Sequence, residues 1–318
     1  MNGPRPTVSI VICAYTMRRW CDMIAAIASA VRQPEGTEVI VIVDHEDELL
    51  AKTRKAWNGL AVEPNRYTRG LSGARNTGLE IATGDIVAFL DDDAVAADDW
   101  LGRMLEAYDA PEVVGVGGSA APVWPHGRQP PTLPPELLWV VGCSYEGLPT
   151  RRADVRNAMG CSMSMRRDAL IAIGGFNVDA GRVGTHPVGD EETEVCIRLR
   201  LADPASRIVY EPRSCVRHRV TADRTTWRYL RARSFYEGVS KAALSRAVGS
   251  AYALSSERSY TMRVLPRALL RELRTGHPSS AWAIVVSLAS AALGYLYGGL
   301  RPPTSAAGLR SLVGNTGP

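Results

Sequence analysis

The sequence lacks the features of several protein classes. Its six cysteines are scattered and form no C-x-x-C pair, so we expect reduced core thiols rather than a disulfide frame or a zinc site. Residues 1–6 show no basic stretch leading into a long apolar run, which predicts a cytoplasmic protein without a secretory signal. We find no internal repeat. With 46% hydrophobic and 22% charged residues, the composition is that of a folded α/β protein.

Negative charge is scarce in one part of the chain. Between Arg217 and Arg274 there are 13 Lys and Arg residues but only 4 Asp and Glu, although the whole chain has a net charge of only +4. This imbalance predicts an anionic partner, such as phosphate, lipid headgroups or nucleic acid, or else a solvated helix face. The basic residues are interleaved with an amphipathic helical pattern. We therefore expect a membrane surface as partner, and no nucleic acid.

Strand and helix patterns alternate through the first half of the chain. The runs 8–14, 38–43 and 86–90 are short, apolar and rich in β-branched residues, as buried strands are. Helical patterns lie between them. This alternation predicts an α/β fold with a mostly parallel central sheet, right-handed crossovers and flanking helices. Residues 121–135 contain six prolines and predict a loop.

One segment near the C-terminus carries no charge. Residues 281–300 are long enough to span a bilayer, and arginines precede them. The segment is rich in Ala, Ser and Gly, so a spanning helix, a membrane-surface helix and a packed soluble helix all remain open. We predict a catalytic domain over 1–245 and a helical, basic and apolar extension over 246–318. The extension would place the protein at the inner face of the cell membrane.

Three consecutive carboxylates, Asp91, Asp92 and Asp93, follow the predicted strand 86–90. Adjacent like charges repel, and a divalent cation that takes carboxylate oxygens as ligands relieves that repulsion. Open α/β sheets bind their ligands at the carboxyl ends of strands. The run therefore indicates a metal site, with an acidic turn or helix start as the alternative.

Three other features fit a phosphate-bearing ligand. Asp44 ends the strand 38–43, where its carboxylate can accept hydrogen bonds from a base or ribose. The segment 70–78 has three glycines and Arg75, and glycines let the backbone approach a phosphate closely. Glu191 and Glu192 stand at a predicted helix start. A carboxylate there can act as a general base, although acidic residues also favour a helix N-terminus for structural reasons.

These motifs, taken in order, resemble the family 2 glycosyltransferases, which have a nucleotide-binding α/β fold called GT-A. The resemblance covers about residues 7–245. It is carried by VSIVICAY (8–15), VIVIVD (39–44), GLSGARNTGLEIATGDIVAFLDDDA (70–94), GCSMSMRRDALIAIGGF (160–176) and DEETEVCIRLRL (190–201). The chain also resembles a subgroup labelled glucosyl-dolichyl-phosphate glucuronosyltransferase-like.

The resemblance implies roles on the donor side of the site. Ala14 and Tyr15 would line the nucleotide pocket, and Asp44 would contact the base. Arg75 would lie near base or phosphate, and Asp91 on the ribose side. Asp92 would also belong to the nucleotide-sugar site, as the residue of the run that tolerates change best. In this chain His45 follows Asp44, where the family usually has an acidic or small polar residue.

The resemblance also implies a metal and a base. Asp93 would bind Mg²⁺ or Mn²⁺, and His218 would complete the metal site or be a hydrogen-bonding histidine. Glu192 would be the catalytic base, although the pair here is Glu-Glu rather than Glu-Asp, so Glu191 is also a candidate.

The activity implied is inverting transfer of a sugar from a nucleotide-diphosphate donor, as in a UDP-sugar, to a hydroxyl of a glycan, lipid-linked or small-molecule acceptor. The alternatives are a nucleotidyltransferase or a non-catalytic nucleotide-sugar-binding protein. Against the former, residues 14–19 lack the expected glycine.

Overall fold

The computed structural model describes residues 6–178, 191–249 and 255–300. These residues form two compact units. Unit 1 comprises 6–121, 149–178 and 191–219, and unit 2 comprises 122–148, 220–249 and 255–300.

A nine-stranded sheet is built from the described residues of unit 1 and the end of one strand beyond it. The strands are β1 (Val8–Ala14), β2 (Glu38–Val43), β3 (Ala61–Pro64), β4 (Ile86–Asp91), β5 (Ala94–Ala96), β6 (Val113–Val123), β7 (Ala153–Asp154), β8 (Ser162–Arg166) and β9 (Arg207–Arg219). Their order is β3-β2-β1-β4-β8-β6-β9-β5, and β7 pairs with β9.

The sheet is mixed, which corrects the expectation of a mostly parallel one. The first four strands in the order are parallel. In contrast, β8 is antiparallel to β4 and β6, and β5 and β7 are antiparallel to β9. Parallel neighbours need a crossover connection, usually a helix, and the regular strand-helix alternation that supplies it ends after β4. The α/β class and the flanking helices are confirmed.

Helices cover both faces of this sheet. They are α1 (Trp20–Val31), α2 (Asp47–Ala56), α3 (Leu71–Ile81), α4 (Trp100–Leu105), α5 (Arg167–Ala172) and α6 (Glu191–Ala202). Alternate residues of β1 face opposite layers: Ile10 and Ile12 pack in the core with α1, and Val11 packs in the core with α3 and α6. Because both faces are buried, β1, β2 and β4 are almost continuously apolar.

Unit 2 is mainly helical. It contains α7 (Trp227–Val248), α8 (Ser255–Ser259), a π-helical turn (Tyr260–Val264), α9 (Leu265–Arg274) and α10 (Pro278–Leu300), with 3₁₀ turns at Pro125–Gly127, Pro135–Val141 and Ala222–Thr225. Its apolar core joins the turn 135–141 to α7, α9 and α10. Arg271 of α9 forms a bidentate ion pair with the buried Glu136, with N–O distances of 2.8 and 3.0 Å. The position predicted as a domain boundary, residue 245, lies inside α7.

Two further predictions about the chain can be compared with the structure. The uncharged segment 281–300 lies within α10. By its length and composition, α10 is the one helix among the described residues that could cross a membrane. All six cysteines are free thiols. Cys143, Cys161 and Cys196 are buried as expected, whereas Cys21 is exposed and is not a core residue.

Candidate active site

The three carboxylates of the acidic run have different partners. Asp91 ends β4, and the turn before β5 directs Asp92 and Asp93 toward Arg19. Arg19 Nη1 lies 2.7 Å from Asp92 Oδ1 and 3.0 Å from Asp93 Oδ2. Burial would lower the pKa of Arg19, but the two carboxylates outweigh it and raise that pKa above its usual range. Arg19 therefore neutralises part of the run, a role that the sequence did not suggest.

Burial also acts on the carboxylates themselves. It raises the pKa of Asp92 to about 7, against the opposing charge of Arg19, and it raises the pKa of Asp91 against Arg75. The buried Oδ2 of Asp92 has no hydrogen-bond partner among the described residues. The run thus holds more negative charge than Arg19 alone compensates, and it is suited to a cation.

A long last strand brings His218 to the acidic run. Ala94 of β5 is directly opposite His218 of β9, and the Nε2 atom of His218 lies 3.2 Å from Asp93 Oδ1. One ligand atom each from Asp91, Asp93 and His218 all lie within 4.8 Å of one another. Carboxylate oxygens and an imidazole nitrogen suit a divalent cation such as Mn²⁺. The residues present therefore fit the metal that the sequence predicted.

Asp44 lies buried at the end of β2, in a polar turn. Its Oδ1 accepts a hydrogen bond from Asn65 Nδ2 at 2.6 Å, and its Oδ2 accepts one from the Gly70 amide at 3.0 Å. Asn65 also accepts from the amide of Tyr67 at 2.9 Å. These donors fix both oxygens of the Asp44 carboxylate, each of which keeps a further lone pair. Asn65 was missed because its contacts depend on the turn after β3.

The end of β1 contributes two residues near the same edge of the sheet. The Ala14 carbonyl accepts the Asp44 amide at 2.7 Å, and the Ala14 side chain is buried. Tyr15 is 42% exposed, and the Arg19 guanidinium stacks on its ring at 5.3 Å. The aromatic face of Tyr15 is thus held in place by the same arginine that neutralises the acidic run. His45, which follows Asp44, has a left-handed φ of 53° and hydrogen-bonds the Tyr67 carbonyl.

Arg75, on α3, is buried between the acidic run and α6. Its guanidinium lies 3.2 Å from Glu191 Oε1 and 3.6 Å from Asp91 Oδ1, and donates to the Gly160 carbonyl at 3.1 Å. It also packs over the Phe89 and Phe176 rings. Although burial opposes it, the nearby carboxylates raise the pKa of Arg75, so the side chain stays charged.

The two candidate bases at the start of α6 occupy different environments. Glu191 is buried in the ion pair with Arg75, whereas Glu192 is half-buried. A Cβ placed on Gly160 would lie 3.0 Å from the Arg75 guanidinium, so the glycine lets this arginine approach the backbone beside the two carboxylates. Further along α6, Glu194 and Arg198 form a buried pair at 2.7 Å. Asp190 lies outside the described residues, as do residues 179–189.

The structure therefore connects most of the predicted site. Arg75 links Asp91 to Glu191, and Asp93 and His218 lie beside Asp91. Asp44, Ala14 and Tyr15 lie at the carboxyl ends of β2 and β1, which are parallel to β4. A parallel half-sheet with a carboxylate run and a late histidine at this edge is the arrangement expected from the resemblance to the GT-A fold.

The comparisons agree with this class. The family described as Glycosyl transferase family 2 matches residues 9–174. The chain is 31% identical to the glucosyl-dolichyl phosphate glucuronosyltransferase of Haloferax volcanii, over 93% of this chain and 97% of that protein. It is 29% identical to the succinoglycan biosynthesis protein ExoM of Rhizobium meliloti, over 73% of this chain and 72% of that protein. The chain belongs to glycosyl transferase family 2 and is a glycosyltransferase.

Solved structures confirm the GT-A fold. A mannosyltransferase from Pyrobaculum calidifontis, PcManGT, solved with GDP-Man and Mn²⁺, has a TM-score of 0.59 at 18% identity, over 92% of this chain and 88% of that one. GalNAc-T7, solved with UDP, GalNAc and Mn²⁺, has a TM-score of 0.53 at 14% identity, over 87% of this chain and 59% of that one. The family favours sugar transfer over the nucleotidyltransferase alternative.

Proposed function

We propose that this glycosyltransferase transfers a sugar, with inversion, from a nucleotide-diphosphate donor to an acceptor hydroxyl. The observation that supports the proposal is the difference in burial at α6: Glu191 is buried and forms an ion pair with Arg75 at 3.2 Å, whereas Glu192, whose charge also acts on Arg75, is half-buried. A carboxylate committed to a buried ion pair is a poor proton acceptor, because protonation would leave Arg75 without its partner. We therefore propose Glu192, the more accessible of the two carboxylates, as the base.

The donor would bind at the carboxyl edge of the parallel strands. Asp44, fixed by Asn65 and Gly70, would accept hydrogen bonds from the base, and UDP is the donor nucleotide that we propose. Asp91 would contact the ribose side. The exposed ring of Tyr15, held by Arg19, would offer an aromatic surface to the nucleotide. The buried Arg75 would not contact the donor itself but would hold Asp91 and Glu191 in place.

A divalent metal would be held by Asp93 and His218, with Asp91 close enough to assist. Mn²⁺ and Mg²⁺ both accept carboxylate ligands, and the imidazole favours Mn²⁺. When bound, the metal would neutralise negative charge on the donor diphosphate and on its leaving form. Arg19 lies 2.7 Å from Asp92 and 3.0 Å from Asp93, so one cation faces two carboxylates and a metal would compensate the remaining negative charge.

In the reaction, Glu192 would accept the proton of the acceptor hydroxyl as its oxygen bonds to the anomeric carbon. The bond from that carbon to the diphosphate breaks on the opposite face, so the anomeric configuration inverts. One protein base would suffice, since a metal held by Asp93 and His218 would stabilise the leaving group in place of an acid. The Haloferax relative is named a glucosyl-dolichyl phosphate glucuronosyltransferase, which supports a lipid-linked acceptor for this enzyme.

The test is Glu192→Gln, with Glu191→Gln as the matched neighbour. Sugar transfer from UDP-, GDP- and dTDP-sugars is followed with Mn²⁺ or Mg²⁺, and donor binding is measured by calorimetry. Loss of a general base lowers turnover by about 10²–10⁴-fold, so Glu192→Gln should lose transfer and keep its donor affinity. Glu191→Gln should mainly lower stability. Full turnover by the Glu192 variant would refute the assignment, and an α-configured product from an α-linked donor would refute inversion.

A further inference from the structure

The inner face of α10 is joined to α7 by small residues. A Cβ on Gly294 or Gly238 would overlap a backbone carbonyl of the other helix, at Phe235 or Ala291 respectively. Ser234 and Ser287 are hydrogen-bonded at 2.9 Å between the same helices. The two backbones are thus in direct contact, as in helix pairs built on small residues. Larger residues on this face would separate the helices.

The outer face of α10 is apolar and exposed. No charged residue occurs in Pro278–Leu300. The large exposed side chains are spaced by three to five positions, which places them on one face of the helix. Trp282 is 60% exposed, Leu293 is 62% exposed and Leu296 is 65% exposed. Val285, Leu288 and Leu300 continue the same face. An apolar stripe of this length on a protein surface indicates an apolar partner.

The pairing with α7 is incompatible with α10 crossing a bilayer. The helix α7 carries charged residues along its length, among them Glu237, which lies between Arg233 and Lys241 at 2.7 and 3.2 Å. Because the backbones touch, a spanning α10 would draw these charges into hydrocarbon, where charged side chains are strongly disfavoured. The outer face of α10 can instead enter the surface of a membrane while α7 stays on the aqueous side.

The neighbouring helix α9 supplies positive charge. Its inner side is buried through Leu265, Ala268 and Glu272. Its outer side and the turn before it expose Arg263, Arg267 and Arg274 beside Met262, Leu270 and Leu273. Within the described residues these three arginines make no ion pair or side-chain hydrogen bond. A face that mixes arginines with exposed leucines matches an anionic lipid surface, in which headgroups meet the cations and acyl chains meet the leucines.

We infer that the outer faces of α9 and α10, the α9–α10 lipid surface, bind anionic phospholipid with α10 lying in the plane of the membrane. This inference deepens the proposed function, because membrane binding would bring the enzyme to a lipid-linked acceptor. Only that purpose rests on the proposed function. The surface itself is defined by its exposed leucines and arginines. A second copy of the chain fits it less well, because its own arginines would meet those of the first.

The experiment uses the full-length chain and vesicle flotation. Vesicles of phosphatidylcholine are compared with vesicles that also contain phosphatidylglycerol. Two variants test the surface, Leu293→Ser with Leu296→Ser, and Arg263→Ser with Arg267→Ser and Arg274→Ser. Ile171→Ser and Arg32→Ser, exposed in unit 1, are the matched controls.

Wild type should float with the phosphatidylglycerol vesicles and be released by high salt or alkaline carbonate. Burying a leucine contributes about tenfold or more in affinity and each arginine about fivefold, so both test variants should lose at least tenfold. The controls should stay within about twofold. Circular dichroism confirms folding. Should a variant fail to fold, quenching of wild-type fluorescence by brominated lipid, absent in Trp282→Phe, provides the same test.

Three results would overturn the inference. Retention in the membrane after alkaline carbonate would show a spanning helix. A stable dimer that dissociates with Leu293→Ser and Leu296→Ser, without vesicle binding, would assign the surface to a second copy. Equal binding to vesicles without anionic lipid would remove the role of the arginines. None of these readouts depends on turnover, so a failure of the Glu192→Gln test would reject the proposed reaction and leave this surface standing.

Discussion

Replacing Arg75 tests whether one buried cation holds the acidic run and α6 together. Arg75→Met keeps an unbranched side chain of comparable length between Phe89 and Phe176 but removes the charge. Glu191 would then keep a buried negative charge without its partner at 3.2 Å, and the Gly160 carbonyl would lose its donor. Removing one member of a buried ion pair costs about 3–5 kcal/mol, because the other charge stays buried.

The assay is thermal and urea unfolding of the purified chain. For a domain of this size each kcal/mol shifts the midpoint by about 2–4 °C, so we expect Arg75→Met to lower it by about 6–20 °C. Adding Glu191→Gln to that variant should recover part of the loss, since the uncompensated charge is then removed. The control is Arg54→Met. Its exposed pair with Glu63, at 3.1 Å, should contribute less than about 1 kcal/mol.

The reasoning is refuted if Arg75→Met unfolds within about 2 °C of the wild type, or if it loses no more than Arg54→Met. It also fails if the Glu191 substitution adds its full cost on top of the Arg75 variant, because two residues that form one pair must be coupled in a double-mutant cycle.

Two further predictions concern packing and acid stability. Gly294→Val places a branched side chain against the Phe235 carbonyl and should separate α10 from α7, lowering the unfolding midpoint and increasing proteolysis of α10; Gly299→Val, with open space around it, is the control. Hydrogen bonds from Arg213 and Arg152 lower the pKa of Glu211 to about 2. Stability from this group is therefore complete above its ordinary pKa of about 4.3 and is lost as pH falls toward about 2. In Glu211→Gln the thermal unfolding midpoint should therefore fall less steeply as the pH is lowered. The same pH dependence in the variant and the wild type would contradict this prediction.

The parallel half of the sheet could be predicted because one physical feature, burial on both faces, explains the sequence of its strands. Strands such as β1 and β4 are buried on both faces and therefore show uninterrupted apolar runs. The strand β9 spans 13 residues, and only its first part, residues 207–210, has the apolar and β-branched character that predicts a strand. Beyond Tyr210 the buried Ser214, Val216 and His218 alternate with exposed arginines. The sequence there is polar and basic, as that of an exposed loop can also be. Without the full length of β9, its pairing with β5 could not be foreseen.

The candidate site divides in the same way. Residues in contiguous motifs, such as Asp91 and Asp93, could be selected because adjacent carboxylates at a strand end are unusual. Arg19 and Asn65 could not, because each reaches the site from a turn whose shape depends on tertiary contacts. The direction in which Arg75 points was also not readable, since a glycine-rich segment is compatible with an outward or an inward side chain. The sequence therefore identifies which residue types form the site, whereas the direction of each side chain is known only from the folded structure.

The glycine contact between α7 and α10 has a consequence for shortening the chain. Deleting α10, or ending the chain at residue 245 where a catalytic domain was expected to stop, would uncover Gly238 and the backbone beside it on α7. The same cut would leave the buried Ser234 hydroxyl without Ser287. A truncated enzyme would therefore expose the face of α7 that α10 covers, and other molecules could bind to it. Solubility gained by removing an apolar helix would be offset by aggregation through the helix it had covered.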